Sequence, residues 1–258
     1  MNEGMQALVS TLDAEVLQKI ESIVEPLITP ERIARLDTAL ATRSREVVMV
    51  LEDLLNEHNG AAVLRTAEAF GFFEVHVMEP EPGRFKVNRR ISKGTQKWLD
   101  LHRHVSTADA CAHLKARGYA VWVSALQGDA VDVHDIPIDR PIALLFGNEL
   151  NGVSAEALAR ADGCFRIPMS GFVESFNISV AAAISLYDVS LRMRSRGGPR
   201  PLDPLDARQV RTAWLARAAK SAADVLERAG LPLPVLHRET FLDEALRHAG
   251  SEERAEVA

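Results

Sequence analysis

Ile167-Pro168-Met169-Ser170-Gly171-Phe172-Val173-Glu174-Ser175-Phe176-Asn177-Ile178-Ser179-Val180-Ala181-Ala182-Ala183-Ile184-Ser185-Leu186-Tyr187-Asp188 reads as a tight loop feeding a helix. Pro168 and Gly171 keep the backbone out of regular structure, and Ser175 and Asn177 offer side-chain oxygens close to the helix start. The small residues that follow let another backbone approach closely. Taken alone, the stretch is equally an ordinary strand-loop-helix connection with a Ser or Asn cap.

Upstream of this loop, strand and helix patterns alternate. Val47-Val48-Met49-Val50-Leu51 is an unbroken apolar run of strand length, which suits a parallel strand covered on both faces. Residues 58–71 read as a helix stopped by Gly71. Strands are predicted over 75–78, 99–105, 119–124 and 142–146, with a helix over 108–117. Residues 128–139 show no sustained periodicity and read as connection. The strand 142–146 opens straight into Gly147-Asn148-Glu149-Leu150-Asn151-Gly152-Val153-Ser154, with a helix starting at or soon after Ser154. This alternation predicts an α/β fold with a mostly parallel sheet flanked by helices. Helical spacing further predicts an amphipathic helix over 5–24, a second from Pro30 after the cap Thr29, and a last one over 205–229.

No apolar run approaches the roughly 20 residues that span a bilayer, and the first residues lack the features of a secretory signal, so the cytoplasm is the expected compartment. Cys111 and Cys164 stand far apart with no neighbouring Cys or His at ligand spacing, and no metal is expected. The net charge of −6 argues mildly against a nucleic-acid partner, but fifteen of the 30 bases fall in two short segments. The first holds Arg84, Lys86, Arg89, Arg90, Lys93, Lys97 and Arg103; the second holds Arg192, Arg194, Arg196, Arg200, Arg208, Arg211, Arg217 and Lys220. Either segment alone reads as a solvated face; together on one surface they would track a phosphate backbone.

In open α/β sheets ligands collect beyond the carboxyl ends of the strands, where Ser124, the Gly147 loop and the Pro168 loop all fall, so a nucleotide-like ligand is expected there. The Gly-x-Gly-x-x-Gly fingerprint and the phosphate loop ending in Gly-Lys-Ser or Gly-Lys-Thr are both absent, which weakens dehydrogenase and nucleotide-hydrolase readings. Asn59 could cap the helix that holds Arg65 nearly two turns further in. That spacing fits a shared phosphate site, and equally a structural cap with a surface Arg.

Residues 58–71, 144–154 and 167–188, in that order and separation, resemble the three motifs of the SpoU-type RNA 2′-O-ribose methyltransferases of the SPOUT superfamily. Ile-Pro-Met, the Ser-x-Asn of Ser175 and Asn177, and the following Ser-Val-Ala-Ala-Ala are the most specific part. The branch acting on guanosine 18 of the tRNA D-loop is the most similar, through His58-Asn59, Gly94-Thr95-Gln96-Lys97-Trp98 and Gly230-Leu-Pro-Leu-Pro.

The resemblance implies a deep C-terminal trefoil knot, S-adenosylmethionine bound there in a bent form, and a homodimer in which each active site draws on both subunits. Carried over by motif, the cofactor contacts are Ser124, Gly147, Asn148, Glu149, Ile167, Met169, Ser175, Phe176 and Asn177. The catalytic set is Asn59, Arg65, Glu149, Ser175 and Asn177, with Arg65 acting as a clamp on phosphate or the developing alkoxide, because a guanidinium is a poor base. Glu149 would hold the motif loops or the Arg. RNA contacts would come from Arg84, Arg89, Arg90, Lys93, Lys97, Arg192, Arg196, Arg200 and Arg211. The implied organisation is an N-terminal helical extension (1–28), a methyltransferase domain (29–198) and a C-terminal helical RNA-binding extension (199–258). Glu174 replaces a common Gln, and Leu150-Asn151-Gly152 replaces Lys-x-Gly, which leaves ribosomal RNA open as an alternative substrate and a catalytically silent RNA binder as a third reading.

Overall fold

Short polar side chains mark where the helices begin. Asp13, Thr29, Asn56, Ser106, Ser154, Asn177 and Asp203 each accept a backbone N–H in the first turn, supplying a partner that the helix itself cannot. The computed structural model describes residues 6–79, 85, 94–126 and 129–236. In chain order the described strands and α-helices are β1 (Gln6–Leu8), α1 (Ala14–Val24), α2 (Pro30–Leu40), β2 (Val47–Glu52), α3 (Glu57–Ala69), β3 (Glu74–Met78), β4 (Asp100–His104), α4 (Thr107–Ala116), β5 (Ala120–Ser124), β6 (Val131–Asp132), β7 (Ile142–Phe146), α5 (Ala155–Arg160), β8 (Gly163–Arg166), α6 (Ile178–Ser195), α7 (Pro204–Ala218), α8 (Ala222–Arg228) and β9 (Leu233–Val235).

By internal contacts the described residues fall into two units, 6–43 with 201–236, and 44–200. The second holds a seven-stranded sheet in the order β4-β3-β2-β7-β5-β8-β6, parallel throughout. Strands β2 and β7 lie inside it, paired from Val47 with Ile142 to Leu51 with Phe146, and every residue of both is buried. That is why their sequences are continuous apolar runs. Burying each Val, Leu or Ile there contributes about 1.5–3 kcal/mol. The core continues through Val121, Val123, Cys111 and Leu114, where α4 covers one face.

The first unit is a helical body with a parallel pair of short strands, β1 and β9. Val9, Leu17 and Ala213 form part of its core. Arg208 reaches Glu21, and Arg211 reaches both Asp37 and Glu25, so charged side chains as well as apolar ones tie α7 to α1, α2 and the turn after α1.

The described elements follow the alternation expected from the sequence, with three differences. Of the stretch 5–24, the described residues 6–24 form a strand, a 3-10 turn and then a helix that starts only at Ala14, because Asp13 caps it. The expected helix over 205–229 is broken at Ala219, whose backbone is extended, into α7 and α8. Residues 128–139, read as connection, contribute the two-residue strand β6, too short for any period to show. It is secured by pairing with β8 and by an Arg166–Asp132 ion pair at 3.1 Å. No described helix is long and apolar enough to cross a membrane.

Candidate active site

Because the strands of the large sheet run parallel, their carboxyl ends share one edge. The chain turns back across the sheet there, with β7 between β2 and β5, and such a crossing opens a crevice. A cleft of about 660 Å3 occupies this edge, lined by Ser124 at the end of β5, Phe146 at the end of β7, the loop 147–153, and Ile167, Met169, Ser175, Phe176 and Asn177. Every cofactor-binding residue expected from the sequence lines it, with Gly147, Asn148 and Glu149 on the loop.

The loop 147–153 is held by its own short side chains. Asn148 and Gly152 exchange both backbone hydrogen bonds, and Asn148 Oδ1 accepts from Leu150 N at 3.0 Å and Asn151 N at 2.6 Å. Gly147 sits so close to the returning chain that a Cβ there would stand 2.1 Å from the carbonyl of Gly152. The result is a backbone cradle, flanked by apolar Phe146, Ile167 and Met169, of a volume ordinary for a nucleoside-sized ligand. A cradle that excludes side chains, apolar walls for a base and the nearby Glu149 carboxylate fit S-adenosylmethionine.

The three sequence motifs meet through a chain of hydrogen bonds. Asn59 Nδ2 donates to Glu149 Oε1 at 2.8 Å, and Asn59 Oδ1 accepts from Asn177 Nδ2 at 3.0 Å. Glu149 also accepts from the backbone N–H groups of Leu55, at 3.0 Å, and Asn56, at 3.2 Å. Desolvation pushes the Glu149 carboxyl up, but the bond from Asn59 and those from the backbone outweigh it and hold it below the usual range. Asn177 closes the arrangement by capping α6 through Ser179 N at 2.9 Å.

The expected cap is corrected by this geometry. Asn56, not Asn59, caps α3, accepting from His58 N at 2.8 Å, which frees the Asn59 amide to join the other two motifs. Of the catalytic set, Asn59 contacts both Glu149 and Asn177, and Ser175 lines the cleft with Glu149 and Asn177. Arg65 lies on the exposed side of α3 and does not line that cleft.

A residue missed in the sequence is Glu52. Its buried carboxylate accepts from Ser154 N (2.9 Å), Ser154 Oγ (2.6 Å) and Thr107 Oγ1 (2.5 Å), so it fixes the far end of the 147–154 loop as Glu149 fixes the near one. The one signal for it was an acid closing an otherwise apolar run.

Four of the bases expected at RNA, Arg84, Arg89, Arg90 and Lys93, lie outside the described residues. Lys97 is exposed on a 3-10 turn. The others are engaged within the protein: Arg192 with Asp188 and the carbonyls of Ile136 and Val133, Arg196 with the carbonyl of Ile138, Arg200 with Glu46, and Arg211 with Asp37 and Glu25. Glu74, His76 and His102 bring potential metal donors within 4.8 Å of one another. The Glu74 oxygens are already taken by Arg45, Arg117 and His76, so guanidinium groups stand where a cation would supply charge.

Known proteins are similar to this chain over most of its length. A tRNA (guanosine(18)-2′-O)-methyltransferase of Thermus thermophilus is 40% identical over 192 residues, which cover 73% of this chain and 98% of that enzyme. One from Borreliella burgdorferi is 32% identical over 210 residues, covering 81% and 95%. The crystal structure of the A. aeolicus TrmH/SpoU tRNA modifying enzyme superposes with a TM-score of 0.68 at 28% identity, covering 72% of this chain and 96% of that one. The pattern of the SpoU rRNA Methylase family spans residues 46–187, from the first strand of the large sheet into α6, and the chain belongs to that family.

Proposed function

We propose that the protein transfers a methyl group from S-adenosylmethionine to the ribose 2′-oxygen of guanosine 18 in the tRNA D-loop. The observation that carries the reaction is the Glu149–Asn59–Asn177 chain, which joins all three motifs at the rim of a cleft of cofactor size. The tRNA relatives, similar over most of their length, supply the substrate.

When bound, the cofactor supplies a sulfonium methyl that is already activated. The protein's share is alignment and charge. Gly147 and its loop present backbone groups to the cofactor, while Ile167, Met169 and Phe176 exclude water around it. Asn59, held between Glu149 and Asn177, fixes the first turn of α3 at the cleft. Arg65, further along the same helix, reaches toward the substrate and stabilises negative charge on its phosphate or its attacking oxygen.

Three further features belong to this proposal. The first is a trefoil knot, supported by the place of β8 between β5 and β6 and by the return of the following segment to the Gly147 loop. The second is a homodimer, supported by the exposed Val180, Tyr187 and Leu191 on α6 and the exposed Phe172 and Val173 in the loop that precedes it. The third is a functional division into a methyltransferase domain over 29–198, with 1–28 and 199–258 as extensions, the latter docking RNA in the cytoplasm.

The test is to incubate the purified protein with radiolabelled S-adenosylmethionine and, separately, unmodified tRNA transcript and ribosomal RNA, and to map the label. Label on the 2′-oxygen of guanosine 18 is expected. Label on ribosomal RNA alone would overturn the substrate, and none on either would overturn the reaction.

A further inference from the structure

The loop 147–153 borders two clefts. Besides the cofactor cleft there is a space of about 370 Å3 lined by Glu52, Thr107 and Ser154, and Asn148, Asn151, Gly152 and Val153 line both. The loop is thus part of a thin wall between them. Val153 packs against the apolar core, whereas residues 149–152 are exposed. With so little apolar burial, the shape of the loop rests on its polar ties.

At the far end of the loop those ties converge on Glu52, the last residue of β2 and only 6% exposed. Its carboxylate accepts from Ser154 N at 2.9 Å, Ser154 Oγ at 2.6 Å and Thr107 Oγ1 at 2.5 Å, all neutral donors. Ser154 Oγ in turn accepts from Ala157 N at 3.0 Å, capping α5, and Thr107 is the first residue of α4. One carboxylate therefore joins the end of a buried strand to the first turns of two helices and to the loop. Two residues before Ser154, Gly152 exchanges both backbone hydrogen bonds with Asn148, and its carbonyl stands against Gly147. A shift at Ser154 passes directly to the backbone cradle.

We infer that Glu52 is a positioning residue for S-adenosylmethionine, acting through Ser154 on the loop that cradles it. The inference rests on the cofactor named in the proposed function. Glu52 itself lines the 370 Å3 space and not the cofactor cleft, so its effect on the cofactor passes through the loop. A loop released at its far end samples several shapes, of which one fits the cofactor, and the apparent affinity falls with the fraction of time spent in that shape. Global stability is less sensitive. Ser154 and Thr107 both border a space large enough for water, which can take up the hydrogen bonds that Glu52 gives up.

The experiment compares Glu52→Ala, Glu52→Gln, Ser154→Ala and Ser154→Thr with the wild type. The readouts are the Kd and stoichiometry of S-adenosylmethionine binding by calorimetry without RNA, the KM for the cofactor against kcat, and thermal unfolding. Glu52→Ala is expected to raise the Kd about thirtyfold at full stoichiometry, with kcat at saturating cofactor within about threefold of wild type. Glu52→Gln keeps an acceptor for Ser154 N, so its Kd should rise by no more than about threefold. Ser154→Ala loses the hydroxyl link and the cap and should raise the Kd about fivefold, while Ser154→Thr keeps both and should stay within about twofold. That pair decides the matter if Glu52→Ala fails to fold. A merely structural role would lower the melting temperature and the stoichiometry while the folded fraction kept the wild-type Kd, and that result would overturn the inference. So would a Glu52→Gln variant as weak as Glu52→Ala. A wild-type protein that binds S-adenosylmethionine but methylates no RNA would overturn the proposed reaction alone, whereas one that binds no S-adenosylmethionine would overturn both.

Discussion

Glu149 and Glu74 are two carboxylates of the same large unit in opposite situations. Glu149 stands at the surface, at the carboxyl edge of the sheet, and its oxygens take only neutral donors: Asn59 Nδ2 and the backbone of Leu55 and Asn56. Glu74 opens β3 with no exposed surface, and its oxygens take Arg45, Arg117 and His76. Burial works to raise its pKa, but the bonds from His76 and Arg117 and the field of Arg45 hold it well below the usual carboxylate range. Around it His76 stacks on His102, with ring centres 4.7 Å apart, and on His104, at 5.1 Å. The difference lies in where the compensating charge comes from. Glu74 is neutralised by the protein itself, which makes its surroundings structural. Glu149 is oriented but not neutralised, which leaves its charge available to a ligand.

Substitutions should separate the two regions by what they damage. The largest effect is expected at Arg65: Arg65→Ala should lower kcat about a thousandfold while leaving cofactor affinity unchanged. Wild-type turnover in a folded variant, measured by single-turnover kinetics, would remove Arg65 from the mechanism. At the other network Glu74→Gln strands the Arg117 guanidinium beside a neutral amide and leaves Arg45 to Asp100. Urea unfolding should show a loss of about 3 kcal/mol or more, with kcat kept in the protein that remains folded.

Gly147→Ala tests the cradle directly. The added methyl meets the Gly152 carbonyl, so the loop must open and cofactor affinity should fall about a hundredfold, with little change in melting temperature. Calorimetric titration decides it.

The smallest effect is one of pH. Burial, and then the fields of His76, His113 and His102, lower the His104 pKa to about 4. Unfolded, it would titrate near 6.5, so between those values the unfolded chain binds the extra proton. The contribution of His104 to stability is therefore complete above about pH 6.5 and is lost as pH falls toward 4. Burial lowers His76 and, with Arg117, His113 in the same sense. His102 runs the other way: burial lowers it, but Asp100 outweighs that and raises it, so its contribution is lost as pH rises through its raised pKa. Glu74 and Asp100 beside these rings, both held below the usual carboxylate range, keep their charge over most of this window. With the ring partly open to solvent, His104 should account for about 1–2 kcal/mol after screening. His104→Asn should flatten the fall in melting temperature between pH 6.5 and 4.5; an unchanged slope would assign that fall to other groups.

The two networks were unequally legible. Glu149 and Asn177 stood in motifs that could be read directly, because cofactor loops need specific residues at fixed spacing. In the other network Glu74-x-His76 and Asp100-x-His102-x-His104 already show the period of two that places residues on one strand face. Nothing local shows that Arg45 and Arg117, 29 and 43 residues away from Glu74, close over it. Glu52 escaped for the same reason, since its partner Ser154 lies 102 residues on. A cap at Asn59 was one of two readings of that residue, and it fails because the neighbouring Asn56 serves as the cap and leaves the Asn59 amide to bridge the motifs.

The sequence by itself determined the alternation of strands and helices, the burial of β2 and β7 and the membership of the three motifs, since each depends on periods or spacings within about twenty residues. Only the tertiary structure decided which polar groups meet. Asn59 finds Glu149 across 90 residues and Asn177 across 118. Hydrogen bonds and close contacts depend on distances of a few ångströms, and such distances exist only once the parallel sheet has brought its strand ends together.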